Sequence, residues 1–159
     1  MSSFEIPGFE DFIKRAEAVV DNWDEKKLEL MQKLGGVSLE EISPLIPVDT
    51  SRLVSSFQIG TVTPNYAEVG TNVDYALYVN DGHVQHRRFL PLSYLSAKGR
   101  RLYMKNVKGN RESKGIMLKE RYIPGTFFLE KGMKQAEPRM KKALESWMED
   151  IAREIEGAG

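Results

Sequence analysis

Two long stretches near the ends of the chain repeat their apolar residues at the spacing of an α-helix, and they constrain the fold more than any other feature. Residues 9–34 and a stretch that opens at Thr126 and runs to about residue 155 each place an apolar face opposite a charged one. The middle of the chain is richer in strand formers. This order predicts an α+β fold, with long N- and C-terminal helices packed on a mostly antiparallel β-sheet and an extended basic β-hairpin arm.

Glycine, proline and capping residues predict where these helices end. Gly35-Gly36 should end the first helix, and Ser38 with Glu41 matches a capping box for a short helix that runs toward Pro44. Pro138 inside the last pattern should kink that helix or mark a restart. We place the tryptophans and methionines of both patterns in the core.

Two hairpins are predicted in the middle of the chain. Residues 57–62 and 66–70 look like strands joined by the turn Thr63-Pro64-Asn65. Residues 102–108 and 116–123 form the second candidate pair, with a polar connection between them. The second pair would be the basic arm.

Several residues act as backbone punctuation between these elements. Pro47 should end the preceding helical stretch, and Asp49 can cap a fresh turn whose Leu53 is pinned to the core. Asp74 is a natural cap for a short helix, and Gly82 suits the left-handed residue just past its end. None of these residues is a plausible catalytic group.

The composition is that of a globular protein. A length of 159 residues predicts a single domain, 1–159, with residues 83–122 as an arm or loop insertion within it. No apolar run reaches the roughly 18 residues of a membrane span, and we expect no membrane partner. The absence of cysteine excludes disulfides and thiol catalysis.

Charge is distributed unevenly although the formal total is zero. Residues 83–122 hold eleven Lys or Arg and two Glu, a net charge of +9, so the remainder carries −9. Such asymmetry favours head-to-tail self-association. The basic segment also mixes aromatic and basic residues, as surfaces that contact nucleic acids do. A contact with a neighbouring subunit is the favoured role, with contact to DNA and plain solvation as the alternatives. The candidate contact residues are Arg87, Arg88, Arg100, Arg101, Lys105 and Lys108.

Enzymatic chemistry has little support in the sequence. Asp81, His83 and His86 could bind a metal only if a turn brought all three side chains together, and a structural or solvated role is preferred. No phosphate-binding glycine motif and no nucleophile elbow is present. We expect no catalytic, metal or cofactor site and no cofactor.

The order of the punctuating motifs resembles that of a tailed-phage family. In order along the chain, the motifs are Pro-Val-Asp-Thr-x-x-Leu from Pro47, a strand, Val-Gly-Thr-x-x-x-Tyr-Ala-x-Tyr-Val from Val69, a glycine, and Pro-Gly-Thr-Phe-Phe from Pro124. Together they resemble small tail-completion or head–tail joining proteins, related to the minor tail protein Z type. The resemblance covers about residues 9–82 and 122–156. Ser51 replaces a usual glycine, and the segment between Gly82 and Pro124 is long. The residues that carry the resemblance are Pro47, Asp49, Thr50, Leu53, Gly70, Thr71, Asp74, Tyr75, Gly82, Pro124 and Phe127.

The resemblance implies a non-enzymatic structural protein of the head–tail junction or tail end of a phage or prophage. It implies a homo-oligomeric ring, for which a hexamer fits, that completes or joins the tail and contacts other neck or tail proteins and, in passing, DNA. Such a subunit would be assembled in the bacterial cytoplasm and located in the virion. The alternative is a small nucleic-acid-binding domain that uses the 83–122 arm, and a metal-dependent nuclease comes third.

Overall fold

The computed structural model describes residues 7–47, 51–106 and 114–157, without the side chains of Ser51 and residues 102–106. Its helices in these ranges are α1 (Phe9–Asp21), α2 (Trp23–Ile42), α3 (Ser51–Ser56), α4 (Ala76–Asp81), α5 (Ala97–Asn106) and α6 (Phe128–Glu156). Its strands are β1 (Gln58–Val62), β2 (Ala67–Gly70), β3 (Gly82–Gln85), β4 (Arg88–Pro91), β5 (Gly115–Leu118) and β6 (Arg121–Pro124).

The predicted α+β class is confirmed, with long helices near both ends of the chain. The described strands form three antiparallel two-stranded ladders, β1 with β2, β3 with β6, and β4 with β5. The chain divides into two compact units. We call the described residues up to Ala76 and from Phe127 the body, and Leu77–Thr126 the arm unit.

The N-terminal helix differs from its predicted bounds. It breaks at Asn22, whose side-chain amide donates to the Ala18 carbonyl oxygen at 3.0 Å, and a second helix then continues through Gly35-Gly36 to Ile42. The predicted end at Gly35 is wrong because this glycine is buried inside α2 with β2 packed on it, so that a Cβ there would lie 3.4 Å from the Cβ of Ala67.

The predicted short helix capped by Ser38 is also wrong. Ser38 lies inside α2, and its hydroxyl donates to the Leu34 carbonyl oxygen at 2.9 Å, a bond that a serine makes in a helix interior. Glu41 instead accepts from Arg139 of α6 at 2.6 Å.

Helices α2 and α6 pack closely through a small residue. Gly132 of α6 is buried against Ile42 of α2, where an added Cβ would lie 2.6 Å from Ile42 Cγ1 and 2.8 Å from its Cα. At the start of α6, Phe128 is fully buried and meets Phe57 edge to face, with ring centroids 5.6 Å apart. Leu53 and Phe57 are both buried, as the predicted pinning of α3 requires.

The C-terminal helix is continuous. It begins at Phe128 rather than Thr126, after Phe127 in a left-handed conformation (φ 53°), and it runs through Pro138 without a restart. Proline removes one helical hydrogen bond. The remaining backbone hydrogen bonds keep the helix intact, and its buried Gly132, Ala136 and Ala143 pack it into the core of the body.

The first predicted hairpin is confirmed. β1 and β2 pair antiparallel from Gln58 with Gly70 to Val62 with Ala67. The turn is closed by Thr63, whose backbone amide donates to the Tyr66 carbonyl oxygen at 2.8 Å and whose hydroxyl accepts from the Tyr66 amide at 3.2 Å.

The arm is built differently from the prediction, although it is a long antiparallel pair. Its first strand lies at residues 82–91, whereas Leu102 to Asn106 belong to helix α5 and not to a strand. Residues 116–123 do supply the second strand. β3 pairs with β6 and β4 with β5, and the two residue numbers of every pair add up to 206 in both ladders, so the antiparallel register is the same. The two ladders therefore form one two-stranded structure, here called the ribbon, with a break at residues 86–87 and 119–120.

Glycines close the base of the ribbon. Gly82 has φ 85°, and a Cβ there would lie 2.6 Å from both the Ile123 carbonyl oxygen and the Gly125 nitrogen. A Cβ on Gly125 would overlap the carbonyl oxygen of Asn80. The Thr126 amide donates to the Val79 carbonyl oxygen at 3.0 Å. The predicted left-handed residue after α4 is thus confirmed, and the two motif segments around Gly82 and Pro124 meet here.

Candidate assembly surfaces

The basic residues predicted as contacts lie on different parts of the arm unit. Arg87 and Arg88 are exposed at the break and at the start of β4, and Arg101 is exposed on α5. Residue Lys108 and the side chain of Lys105 lie outside the described part of the chain. Every described Lys and Arg side chain of the arm unit is exposed: Arg87, Arg88, Lys98, Arg100, Arg101, Lys114, Lys119 and Arg121. Their role as contacts stays a prediction.

Arg100 has a structural role at the start of α5. Its guanidinium donates to the carbonyl oxygens of Leu95 at 3.0 Å and Ser93 at 3.1 Å. The Ser96 hydroxyl accepts from the Gly99 amide at 3.1 Å, a typical cap interaction. Arg100 therefore fixes the turn before the helix, which sequence reasoning did not foresee.

The ribbon exposes apolar cross-strand pairs that sequence reasoning missed. Phe89 faces Met117 across β4 and β5, and both side chains are 52% exposed. Val84 faces Tyr122 across β3 and β6, and both are also exposed. Apolar pairs on a two-stranded ribbon gain stability when another surface covers them.

The body carries the opposite charge, concentrated at one end. Eleven acidic and five basic side chains, a net charge of −6, lie on three segments: α1, the start of α2 up to Lys27, and the end of α6 from Glu145. These segments meet: the Arg15 guanidinium donates to the Ile155 carbonyl oxygen at 2.8 Å, and the Lys26 ammonium lies 2.7 Å from Glu154 Oε2. We call this region the acidic pole. All eleven carboxylates are exposed.

The apolar face of α1 is only partly buried. Val19 is buried, but Phe9, Phe12, Ile13 and Val20 remain exposed, Val20 to 70%. The interpretation of the tryptophans and methionines as core is wrong for Trp23, Met133 and Met148, which are also exposed. Periodicity identified the apolar face but could not tell what covers it.

An apolar groove runs along the body between α2, β2 and α6. Its two adjoining cavities, about 300 and 440 Å³, share Leu34, Met133 and Met140 among their lining residues. In the smaller cavity, the hydroxyl of Ser38 is already bonded to the Leu34 carbonyl oxygen. The groove suits an apolar side chain rather than a reacting polar substrate.

Two of the three residues weighed as metal ligands make other contacts, and the third, His86, is exposed. The Asn80 amide donates to Asp81 Oδ1 at 2.6 Å, and the His83 ring lies edge to face on Tyr78 with centroids 5.6 Å apart. Over the described ranges, no group of three His, Asp or Glu residues could hold a metal ion. The described helices also include none long and apolar enough to cross a membrane.

The motif residues occupy structural positions. The Thr71 and Ser56 hydroxyl oxygens are 2.6 Å apart, a bond that ties the segment after β2 to α3. Gly70 ends β2 opposite Gln58, and Pro124 pairs with Gly82. Asp49 and Thr50 lie outside the described residues. Of the remaining motif residues, Leu53 is buried, Pro47 and Tyr75 are half-buried, and Asp74 and Phe127 are exposed.

A family match and one similar protein agree with the resemblance drawn from the motifs. The chain is 29% identical to the uncharacterized protein YqbI of Bacillus subtilis (strain 168), over 90% of this chain and 96% of that protein. It is also 29% identical to the phage-like element PBSX protein XkdI of the same organism, over 85% of this chain and 82% of that protein. No solved structure matches significantly. Residues 10–82, which end where the ribbon begins, match the HK97 gp10-like family, described as "Bacteriophage HK97-gp10, putative tail-component", and the resemblance to a phage tail family is confirmed.

Proposed function

We propose that this protein is a ring-forming structural subunit at the head–tail junction or tail end of a phage or phage-like element. The observation that carries the proposal is the match of residues 10–82 to a tail-component family. Similarity to a protein of the phage-like element PBSX over most of the chain supports the coarser statement, a phage structural protein. A structural role of this kind requires no covalent chemistry.

The charge distribution supports assembly through unlike surfaces. The arm unit is basic and its described Lys and Arg side chains are exposed, while the carboxylates of the acidic pole of the body are also exposed. A contact between unlike surfaces of identical chains is heterologous, and such contacts generate a ring when the rotation between subunits closes. A hexamer is one such ring.

The size of the particle tests this function. We expect multi-angle light scattering and electron microscopy to show a closed ring. The purified chain is measured alone and mixed with the neighbouring tail protein of the same phage or phage-like element. The population of the ring should fall as salt rises, because exposed charge pairs are screened over about 8 Å at physiological ionic strength. A chain that stays monomeric in both preparations would contradict the proposal.

A second candidate function is nucleic-acid binding by the arm unit. The observation that favours it is the mixture of exposed basic residues with exposed Phe89, Tyr94 and Tyr122. Aromatic rings can stack on bases, while Lys and Arg neutralise phosphates. Fluorescence anisotropy with DNA tests it: a monomer with micromolar or tighter, salt-sensitive affinity that is lost in Arg87→Gln/Arg88→Gln would favour this candidate over the ring. The matched control is Lys33→Gln, an exposed lysine on α2.

A further inference from the structure

We propose that neighbouring copies meet through one face of the ribbon, around Phe89 and Met117, which docks on the exposed side of α1 in the next copy. This inference rests on the proposed ring. It names the two surfaces that would form the repeated contact.

The ribbon face combines an apolar end with a basic end. Side chains alternate between the two faces of a strand, and the register is the same on both sides of the break. Continued one residue past Arg88 and Leu118, this alternation would place Arg87 and Lys119 on the face of Phe89 and Met117. Arg121 is the next residue on that face. All five side chains are exposed. The face from Phe89 to the position of Arg121 is about 13 Å long, at roughly 3.3 Å per residue.

Helix α1 presents an apolar row and an acidic row side by side, so the ribbon face would meet both by lying across the helix. Phe9, Ile13 and Val20 are spaced four and seven residues apart, which places them in one row along the helix. Glu10, Glu17 and Asp21 have a similar spacing and form a second row, three or four residues away from the apolar one. All six side chains are exposed. The rows are about 17 Å long at roughly 1.5 Å per residue.

Charge complementarity selects a second copy as the occupant of α1. The acidic row would meet the arginines and lysine of the ribbon, and the apolar row would cover the Phe89–Met117 pair. Apolar burial supplies affinity, while the charges fix orientation and disfavour a contact between two ribbons or two poles. Each contact is small by the standard of stable complexes, so we expect association to depend on concentration and to strengthen when the ring closes.

Cysteine cross-linking tests which surfaces meet. The chain has no cysteine, so Met117→Cys and Ile13→Cys, made in separate chains, introduce the only thiols. In a mixture of the two under assembling conditions, a short bifunctional maleimide should link unlike chains. The control replaces Ile13→Cys by Gln135→Cys, at an exposed position of α6 outside the acidic pole, and should give little product.

A charge swap provides an independent test. We expect Arg87→Glu/Lys119→Glu to weaken association about tenfold or more, and Glu17→Lys/Asp21→Lys to do the same, because like charges then face each other. A chain with all four changes should associate again to within about threefold of the original, since complementarity is restored. A folding defect would not be rescued in this way, and circular dichroism checks each variant.

The outcomes separate this inference from the proposed function. A ring that forms without a cross-link between the cysteines at positions 117 and 13 would overturn the inference and leave the proposed function standing. An equal yield of cross-link between positions 117 and 135 would do the same. The inference would also be overturned if the variant with all four charge changes failed to associate while the original chain did. Absence of any ring, alone or with the neighbouring tail protein, would overturn the proposed function and the inference together.

Discussion

The body and the arm unit are each stabilised in a different way. Every fully buried apolar side chain larger than glycine that the structure describes lies in the body: Val19, Leu30, Ile42, Ile46, Leu53, Phe57, Ala76, Phe128, Ala136 and Ala143. In the described arm unit only Asn80 and Gly115 are buried. The arm unit is therefore organised by its backbone ladders and by the close approach of glycines at its base.

The two units differ in the source of their stability. Burial of apolar side chains is the dominant favourable contribution to folding, and the body has it. A two-stranded ribbon without a covering layer is marginal in water. We therefore expect the arm unit to open at lower free energy than the body and to gain stability when its apolar pairs are covered.

The largest expected effect is the loss of an aromatic side chain from the body. Phe128→Ala should lower the free energy of unfolding by about 3–5 kcal/mol, because it removes a fully buried ring and leaves a cavity beside Phe57. Phe89→Ala is the matched change in the arm unit and should cost about 0.5 kcal/mol or less, as is usual for exposed positions. Urea denaturation monitored by circular dichroism compares them. Equal losses would break the contrast between the two units.

A pair of glycine variants tests how closely α2 and α6 pack in the body. Gly132→Ala should destabilise it by about 1–3 kcal/mol, because the new methyl group overlaps Ile42 and overpacking forces the helices apart. Gly36→Ala, also within a helix but with nothing beyond its chain neighbours and the local helix backbone within 4 Å of the new Cβ, should stabilise by about 0.5–1 kcal/mol. The same denaturation experiment measures both. A stabilising Gly132→Ala would show that the contact between α2 and α6 is looser than described.

The base of the ribbon offers a test of independence. Gly82→Ala should lower the free energy of local opening of the ribbon by about 1–2 kcal/mol, because alanine disfavours the left-handed conformation of this residue and the new Cβ would overlap Ile123 and Gly125. Hydrogen-exchange protection should therefore fall in both strands of the ribbon. Amides of α2 and α6 should keep their protection. Gly99→Ala, where the nearest contact is an ordinary 3.4 Å from the Ser96 hydroxyl, is the control. Loss of protection in α2 or α6 would show that the units unfold together.

The smallest expected effect concerns surface charge on the body. The hydrogen bond from Lys141, followed by its positive charge, lowers the pKa of Glu137. Because the pKa is lower in the folded state, this pair stabilises the fold above the unfolded pKa, and the contribution is lost as pH falls through the folded pKa. Glu137→Gln should remove only that small acid-dependent part of stability, and Glu149→Gln, on the same helix, is the control. Thermal melting between pH 3 and 7, the range in which carboxylates titrate, measures it.

Local signals in the sequence predicted the parts of the fold that depend on local physics. The hairpin around Thr63 and the left-handed Gly82 follow from turn chemistry and are confirmed. The end of a helix at Gly35 was wrong because a distant strand packs on that glycine. Strand 82–91 was missed because its polar residues gave no alternation, whereas the Ser96 cap could have indicated helix α5.

The candidate surfaces were only partly visible in the sequence. The uneven charge showed that the arm is basic, but not that Arg100 is bonded to backbone carbonyl oxygens. Periodicity placed Phe9, Ile13 and Val20 on an apolar face, yet exposure depends on which neighbours cover it. Cross-strand pairs such as Phe89 with Met117 require the register, which no single sequence pattern specifies.

The unbroken register along the ribbon has a consequence for the order in which the arm forms. Pairing Pro91 with Gly115 closes a loop of 23 residues, whereas pairing Gly82 with Pro124 first would close 41. Loop-closure entropy favours the shorter loop by about 0.5 kcal/mol. The ribbon should therefore zip from its tip toward its base, so that insertions between residues 91 and 115 would slow its formation without changing the final pairing.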